Sequence, residues 1–241
     1  MKPLVFMHGW AQSQQIWFQQ HELFEGALFL NLPGHGGQPD LPADQWADYL
    51  LTQLPEEPSL LLGWSLGGML AMQLAHLYPE RVDGLALVST TPRFRADDNW
   101  PHGSSDKVFN GFRQAIESGS PKALNRFFAL MLHGDEITRS DFNRLAKAAV
   151  DRENRVSEAG VKGALELLES VDLREQIATI TQPTLVIHGE ADAIVPCAAG
   201  LWLTKHIPDN KQLFLPDCGH APFLTQPEQF NSTLHTWWQT Q

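Results

Sequence analysis

The stretch Leu60-Leu61-Leu62-Gly63-Trp64-Ser65-Leu66-Gly67-Gly68-Met69 restricts the fold more than any other: an apolar run stops at a serine framed by glycines, and a helical pattern starts at once. A strand that turns directly into a helix inside a Gly63-x-Ser65-x-Gly67 frame holds its central residue in a strained conformation. Side chains at 63 and 67 would collide with the adjoining strand or helix. The turn lifts the Ser65 hydroxyl out of the sheet above a helix N-terminus, whose free backbone N–H groups favour developing negative charge. Ser65 is therefore the candidate nucleophile; the competing reading is a glycine-rich turn with an idle serine.

Short apolar runs at 4–7, 27–30, 59–62 and 84–88 read as buried strands, each ending in a turn-forming or glycine-bearing stretch. Between them, residues 13–24 read as a helix with Ser13 as N-cap, 46–54 as a weak helix and 66–77 as the helix leaving the elbow. Alternation of strand and helix predicts a mainly parallel sheet of about six strands with helices on both faces. From 92 to 172 the alternation stops, and helical stretches at 123–132, 140–150 and 161–168 follow one another. This predicts a helical lid inserted into a core formed by residues 1–91 and 173–241. The core resumes with a strand at 184–187, a helix near 198–206, a strand at 212–215 and a closing helix at 227–238.

A serine hydroxyl becomes a competent nucleophile only when a base takes its proton, so a histidine and an orienting carboxylate are required. His220 follows the last strand in Asp217-Cys218-Gly219-His220-Ala221-Pro222, and Asp192 follows the preceding strand in His188-Gly189-Glu190-Ala191-Asp192. The order Ser65, Asp192, His220 is the nucleophile-acid-base order of one hydrolase architecture, and differs from the trypsin and subtilisin orders. Glu190, nearer the strand end, and Asp217, nearer the base, compete for the acid role. The backbone N–H of Leu66 is one oxyanion donor, and that of Trp10 in His8-Gly9-Trp10 is the second; the Trp10 indole either walls the substrate pocket or packs in the core.

Taken together, HGW at 8–10, LPGHG at 32–36, GWSLGG at 63–68, HGEAD at 188–192 and GHAPF at 219–223 resemble the α/β-hydrolase fold along nearly the whole chain. Within that superfamily, GWSLGG, TTPRFRADDNWP at 90–101, NRFFALM at 125–131 and ESVDLR at 169–174 resemble the pimeloyl-[acyl-carrier protein] methyl ester esterases of biotin synthesis. The resemblance implies a Ser65, Asp192, His220 triad, an oxyanion hole at Trp10 and Leu66, and an acyl site lined by Phe127. It also implies that Lys122, Arg126 and Arg139 face an acyl-carrier protein, with a further basic position falling at Asn143 or Arg144. Members of the family open with two more strands, so the chain is expected to begin almost on its first parallel strand, leaving 27–30 as a sheet edge open to weak self-association.

Charge bears on the partner. Lys and Arg number 17 against 28 Asp and Glu, a net −11, which argues against nucleic acid and anionic membrane surfaces. Between Lys107 and Gly163, however, ten basic residues face seven acidic ones, a net +3, while the rest carries seven against 21, a net −14. A basic lid on an acidic body fits docking of an acidic carrier protein; the alternative is an ordinary solvated helical surface. Phe127, Phe128, Leu130 and Met131 either line an acyl channel or form the lid's own core. The apolar run at the N-terminus is too short for a signal segment and no stretch is long enough to span a membrane, so a cytosolic protein is expected. Cys197 and Cys218 form no metal-ligand spacing, no nucleotide loop is present, and free thiols and no cofactor are expected. A broad-specificity short-chain carboxylesterase or thioesterase would use the same triad, and a non-catalytic binding protein would use only the pocket.

Overall fold

The computed structural model describes residues 1–117, 121–151 and 155–241, the side chains at 115, 117 and 121–125 excepted. Six strands form one sheet in the order β2-β1-β3-β4-β5-β6. They are β1 (Leu4–Met7), β2 (Leu28–Leu30), β3 (Ser59–Trp64), β4 (Val82–Val88), β5 (Thr184–Gly189) and β6 (Asn210–Leu215). Every pairing is parallel. The carboxyl ends of the strands therefore share one edge, where open α/β sheets place their sites. β2 has no partner strand on its outer side among the described residues.

β1, β3 and β5 are buried along their whole length, as strands covered on both faces must be. On one face Phe6 meets Trp17 and Phe24 with ring centroids 5.2 and 5.5 Å apart. Trp64 and Trp17 both pack on Phe223, at 5.0 and 4.2 Å. The other face carries α2 (Leu66–Leu77), nine of whose twelve residues are buried. Gly63 is the contact point, since a Cβ there would lie 2.3 Å from the Gly67 carbonyl oxygen and 2.5 Å from the Gly68 Cα.

The expected helix at 13–24 is not formed as one α-helix. Ser13 does cap, accepting from the Gln15 N–H, but only a 3-10 turn at Gln14–Trp17 follows, and then a series of turns. Tertiary bonds override the local pattern here: the Asn31 side chain accepts from the Gln14 N–H, and the buried Gln20 amide donates to the Phe223 carbonyl and to Asn231. The remaining elements fall close to expectation, with α1 at Trp46–Gln53, α7 at Cys197–His206 and α9 at Pro227–Gln239. A short helix, α8 (Pro222–Thr225), precedes the last of them.

Between β4 and β5 come α3 (Asp106–Glu117), α4 (Pro121–Met131), α5 (Arg139–Ala149) and α6 (Glu158–Ser170). Ser157 caps α6, accepting from the Gly160 N–H. The neck of this insertion is closed by the Leu173 N–H on the Pro92 carbonyl and by an Arg93–Asp172 ion pair of 2.7 Å. Its far end rests on the Leu32-Pro33-Gly34 loop, where the Ser157 N–H donates to the Gly34 carbonyl at 2.8 Å. A Cβ on Gly160 would come within 2.5 Å of that same oxygen. Backbone cannot yield as a flexible side chain can, so Gly160→Ala is expected to destabilise the fold by about 1–3 kcal/mol. The measurement is the urea midpoint, and an unchanged midpoint would show that the α6 contact is slack.

Candidate active site

Ser65 stands between β3 and α2 with φ 55° and ψ −118°, a conformation that a non-glycine residue adopts only when its surroundings impose it. The surroundings are explicit. The Ser65 N–H donates to the Val88 carbonyl at 2.9 Å, and its own carbonyl accepts from the Thr90 hydroxyl at 2.6 Å. As the first residue of α2, Leu66 offers an N–H with no intrahelical acceptor, directly after the serine. The His8-Gly9-Trp10 turn approaches from β1, and a Cβ on Gly9 would touch the Ser65 Cβ at 3.2 Å. Trp10 thus follows a residue in van der Waals range of Ser65. Its indole is buried and donates to the Val161 carbonyl of α6 at 3.3 Å.

The structure brings Asp192 and His220 together. His220 Nδ1 lies 2.7 Å from Asp192 Oδ2, both side chains being fully buried. The other oxygen, Oδ1, accepts from the backbone N–H groups of Ile194 and Val195 at 2.8 and 3.0 Å. Burial opposes ionisation of Asp192, but the histidines His220 and His188 outweigh it and hold the carboxyl well below the usual carboxylate range. An ionised Asp192 accepting at Oδ2 fixes the Nδ1–H tautomer of His220 and leaves Nε2 as the basic nitrogen. His220 Nε2 is buried and has no hydrogen-bond partner among the described residues. Glu190 and Asp217, the competing acids, are both exposed.

Several contacts at this site had no sequence signal. Trp64 Nε1 donates to the His220 carbonyl at 2.8 Å, tying the elbow to the base loop. His188 Nε2 lies 3.3 Å from Asp192 Oδ2 and 3.0 Å from the Val195 carbonyl. Thr90 opens the TTPRFRADDNWP stretch, but nothing in that stretch announces its hydroxyl's bond to the Ser65 carbonyl.

Phe127, on α4, is half-buried and lies edge-on to Trp10 with ring centroids 4.8 Å apart; Phe112 of α3 makes the same contact at 4.8 Å. Of the basic residues singled out, Arg126, Arg139 and Arg144 are exposed, Arg144 beside Asp141 at 3.3 Å, and Asn143 is exposed as well. The Lys122 side chain lies outside the described residues. Arg113, counted among the lid's positive charges, points inward instead, paired with Glu169 and set over the Phe109 ring. Cys197 and Cys218 are free thiols, and burial pushes the Cys218 thiol up to about 12.

A family model described as alpha/beta hydrolase fold matches residues 2–227, and the protein belongs to that family of hydrolases. Among solved structures, a bromoperoxidase from Bacillus anthracis superposes with a TM-score of 0.87 at 23% identity, covering 99% of this chain and 92% of that one. An esterase from Exiguobacterium antarcticum gives 0.85 at 24%, covering 98% and 91%; these likenesses concern the fold. The sequence relatives are nearer. The pimeloyl-[acyl-carrier protein] methyl ester esterase of Nitrosomonas europaea is 37% identical over 95% of this chain and 92% of its own length. That of Aromatoleum aromaticum is 37% identical over 93% of each. Within the α/β hydrolases the chain therefore belongs to the pimeloyl-[acyl-carrier protein] methyl ester esterase family, whose members are carboxylic ester hydrolases. No described helix is long and apolar enough to cross a membrane.

Two histidines lie beneath the Trp10 turn. His8 donates through Nδ1 to the Gly9 carbonyl at 2.8 Å, while its Nε2 accepts from the Leu32 N–H at 3.1 Å. The His35 ring sits 5.2 Å away, with Nδ1 on the Pro33 carbonyl. Burial holds the His8 ring neutral, well below its ordinary value, and pushes His35 down to about 4. The unfolded chain binds a proton at His35 near pH 6.5 that the folded protein refuses until about pH 4. Stability is thus present above pH 6.5 and is lost as pH falls through that window, by about 3 kcal/mol for His35 alone. His35→Phe is expected to flatten the urea midpoint between pH 6.5 and 4. A profile as steep as that of the unsubstituted protein would locate the pH dependence elsewhere.

Proposed function

We propose that the protein is a cytoplasmic serine carboxylesterase that hydrolyses the methyl ester of a pimeloyl chain carried on an acyl-carrier protein, in biotin synthesis. The observation that carries this reading is the buried 2.7 Å His220–Asp192 contact on the sheet edge that holds the strained Ser65. The 37% identity to esterases of that name supports the substrate.

In the mechanism, His220 Nε2 takes the Ser65 proton as Oγ attacks the ester carbonyl, and Asp192 stabilises the imidazolium. The carbonyl oxygen becomes an oxyanion held by the Leu66 and Trp10 N–H groups. The C–O bond to the methoxy group then breaks, His220 returns its proton to that oxygen, and methanol leaves. Water enters, His220 takes one of its protons, and the hydroxide oxygen attacks the acyl-enzyme. Collapse returns the proton to Ser65 Oγ and frees the pimeloyl carboxylate, still attached to its carrier.

Residues 92–172 act in this reading as a lid over a core of 1–91 and 173–241. Phe127, against Trp10, lines the acyl site. Arg126, Arg139 and Lys122 meet the acidic carrier protein, and Arg144 contributes less because Asp141 already neutralises it in part.

The test compares methyl pimeloyl-carrier protein with the same ester free in solution. A kcat/KM at least about 100-fold higher for the carrier-bound form is expected, in line with binding energy from remote parts of a substrate, and no turnover of either by Ser65→Ala. Equal rates on both forms would replace this reading with a broad-specificity esterase. The open edge of β2, where Leu28 is exposed, supports weak self-association. Sedimentation at rising concentration is expected to reveal a reversible dimer, and a strictly monomeric profile would dismiss it.

A further inference from the structure

The peptide groups of the base are held from two sides. Its carbonyl is bonded to the indole of Trp64 in the core, at 2.8 Å. Its N–H donates to the Met131 carbonyl at 2.9 Å. Met131 is the last residue of α4, so this carbonyl belongs to the helix-terminal set that lacks an intrahelical donor. One residue earlier, the Gly219 N–H donates to Asp135 Oδ1 at 3.0 Å. The turn between Met131 and Asp135 also leaves no slack. A Cβ on Gly219 would meet Asp135 Oδ2 at 2.6 Å and the His133 carbonyl at 2.7 Å, and one on Gly134, whose φ is +95°, would meet the Ala191 Cβ at 2.7 Å. The end of α4 therefore grips both the base loop and the acid loop. Asp135 is half-buried, and its Oδ2 is buried without a hydrogen-bond partner among the described residues. Burial raises the Asp135 carboxyl above its ordinary value, while the Gly219 N–H and the neighbouring Thr225 hydroxyl and Cys218 thiol favour its ionised form.

We infer that Asp135 is a positioning residue for the base: through the Gly219 N–H, and together with the Met131 carbonyl, it makes the placement of His220 depend on where α4 sits. A general base must come within hydrogen-bond reach, about 2.6–3.2 Å, of the oxygen whose proton it takes, and the core supplies only the Trp64 half of the His220 backbone anchorage. A partner bound on the exposed Arg126 face of α4 thereby acts on the same rigid element that carries the base's N–H acceptor. This inference rests on the esterase reading, because it assigns His220 the role of base.

The experiment uses the full chain and a soluble, carrier-free methyl ester. Asp135→Ala is expected to lower kcat by about tenfold with KM within twofold, since misplacement of a catalytic group costs rate rather than binding. Asp135→Asn, which retains Oδ1 as acceptor for the Gly219 N–H, is expected to recover most of the loss. Labelling of Ser65 by a fluorophosphonate should slow in parallel in the alanine variant. An unchanged kcat and labelling rate in a folded Asp135→Ala protein would overturn the inference, whatever its thermal midpoint. If that variant does not fold, amide exchange in the unsubstituted protein decides. Gly219 and His220 should lose protection in the same opening as the α4 amides, and protection that outlasts α4 would sink the idea. Absence of ester hydrolysis by the unsubstituted protein would instead remove the underlying reading.

Discussion

Backbone meets backbone at the elbow, and much else follows from that contact. Gly63 at the end of β3 lies so close to Gly67 and Gly68 that a single added carbon would sit 2.3 Å from a carbonyl oxygen. Only this approach lets α2 start one residue after the strand and fold back across it. The cost falls on Ser65, whose positive φ represents roughly 1–3 kcal/mol of strain. That strain is sustained because β3 is the centre of a sheet with β1 and β4 bonded on either side, and because Val88 and Thr90 hold the Ser65 peptide groups.

Strain recurs along the same edge. Among the described residues, the non-glycine residues with positive φ are Ala11, Ser65, Ser89 and Asp217, each within four residues of the end of a strand, at β1, β3, β4 and β6. Loops that leave parallel strands must turn at once to avoid one another, and here they are locked together by close packing. A Cβ on Gly189 would lie 2.1 Å from the Gly219 carbonyl oxygen, so the acid and base loops share one surface. With Asp192 bonded to two backbone N–H groups and to His220 Nδ1, and the His220 carbonyl held by Trp64, the two side chains are fixed by the fold itself.

The helical insertion meets this edge through a few specific contacts: Gly160 on Gly34, Val161 on Trp10, Met131 and Asp135 on the base loop. Trp10 joins the two parts, its indole bonded to α6 and its ring in edge contact with Phe112 and Phe127. The sheet edge and the insertion are thus separate in the chain but continuous in space. Ser65, Asp192 and His220 stand at the ends of strands, while Phe112, Phe127 and the exposed Arg126 and Arg139 stand on the insertion.

The sequence by itself determined the parallel sheet, the elbow, the interruption at 92–172 and the order of serine, acid and base, because each is written in local periodicity or in glycine and proline punctuation. It left Asp192 competing with Glu190 and Asp217, counted Arg113 among the lid's positive charges, and read one helix across 13–24. Only the tertiary structure distinguishes these, burying Asp192 against His220 while leaving Glu190 and Asp217 in solvent, turning Arg113 onto Glu169, and replacing the helix with turns bonded to Asn31 and Phe223. The partners are distant along the chain: Trp64 and His220 are 156 residues apart, and Asp135 and Gly219 are 84. Spacing carries no record of such pairs, since only the assembled sheet and the insertion folded onto it bring them within hydrogen-bonding distance.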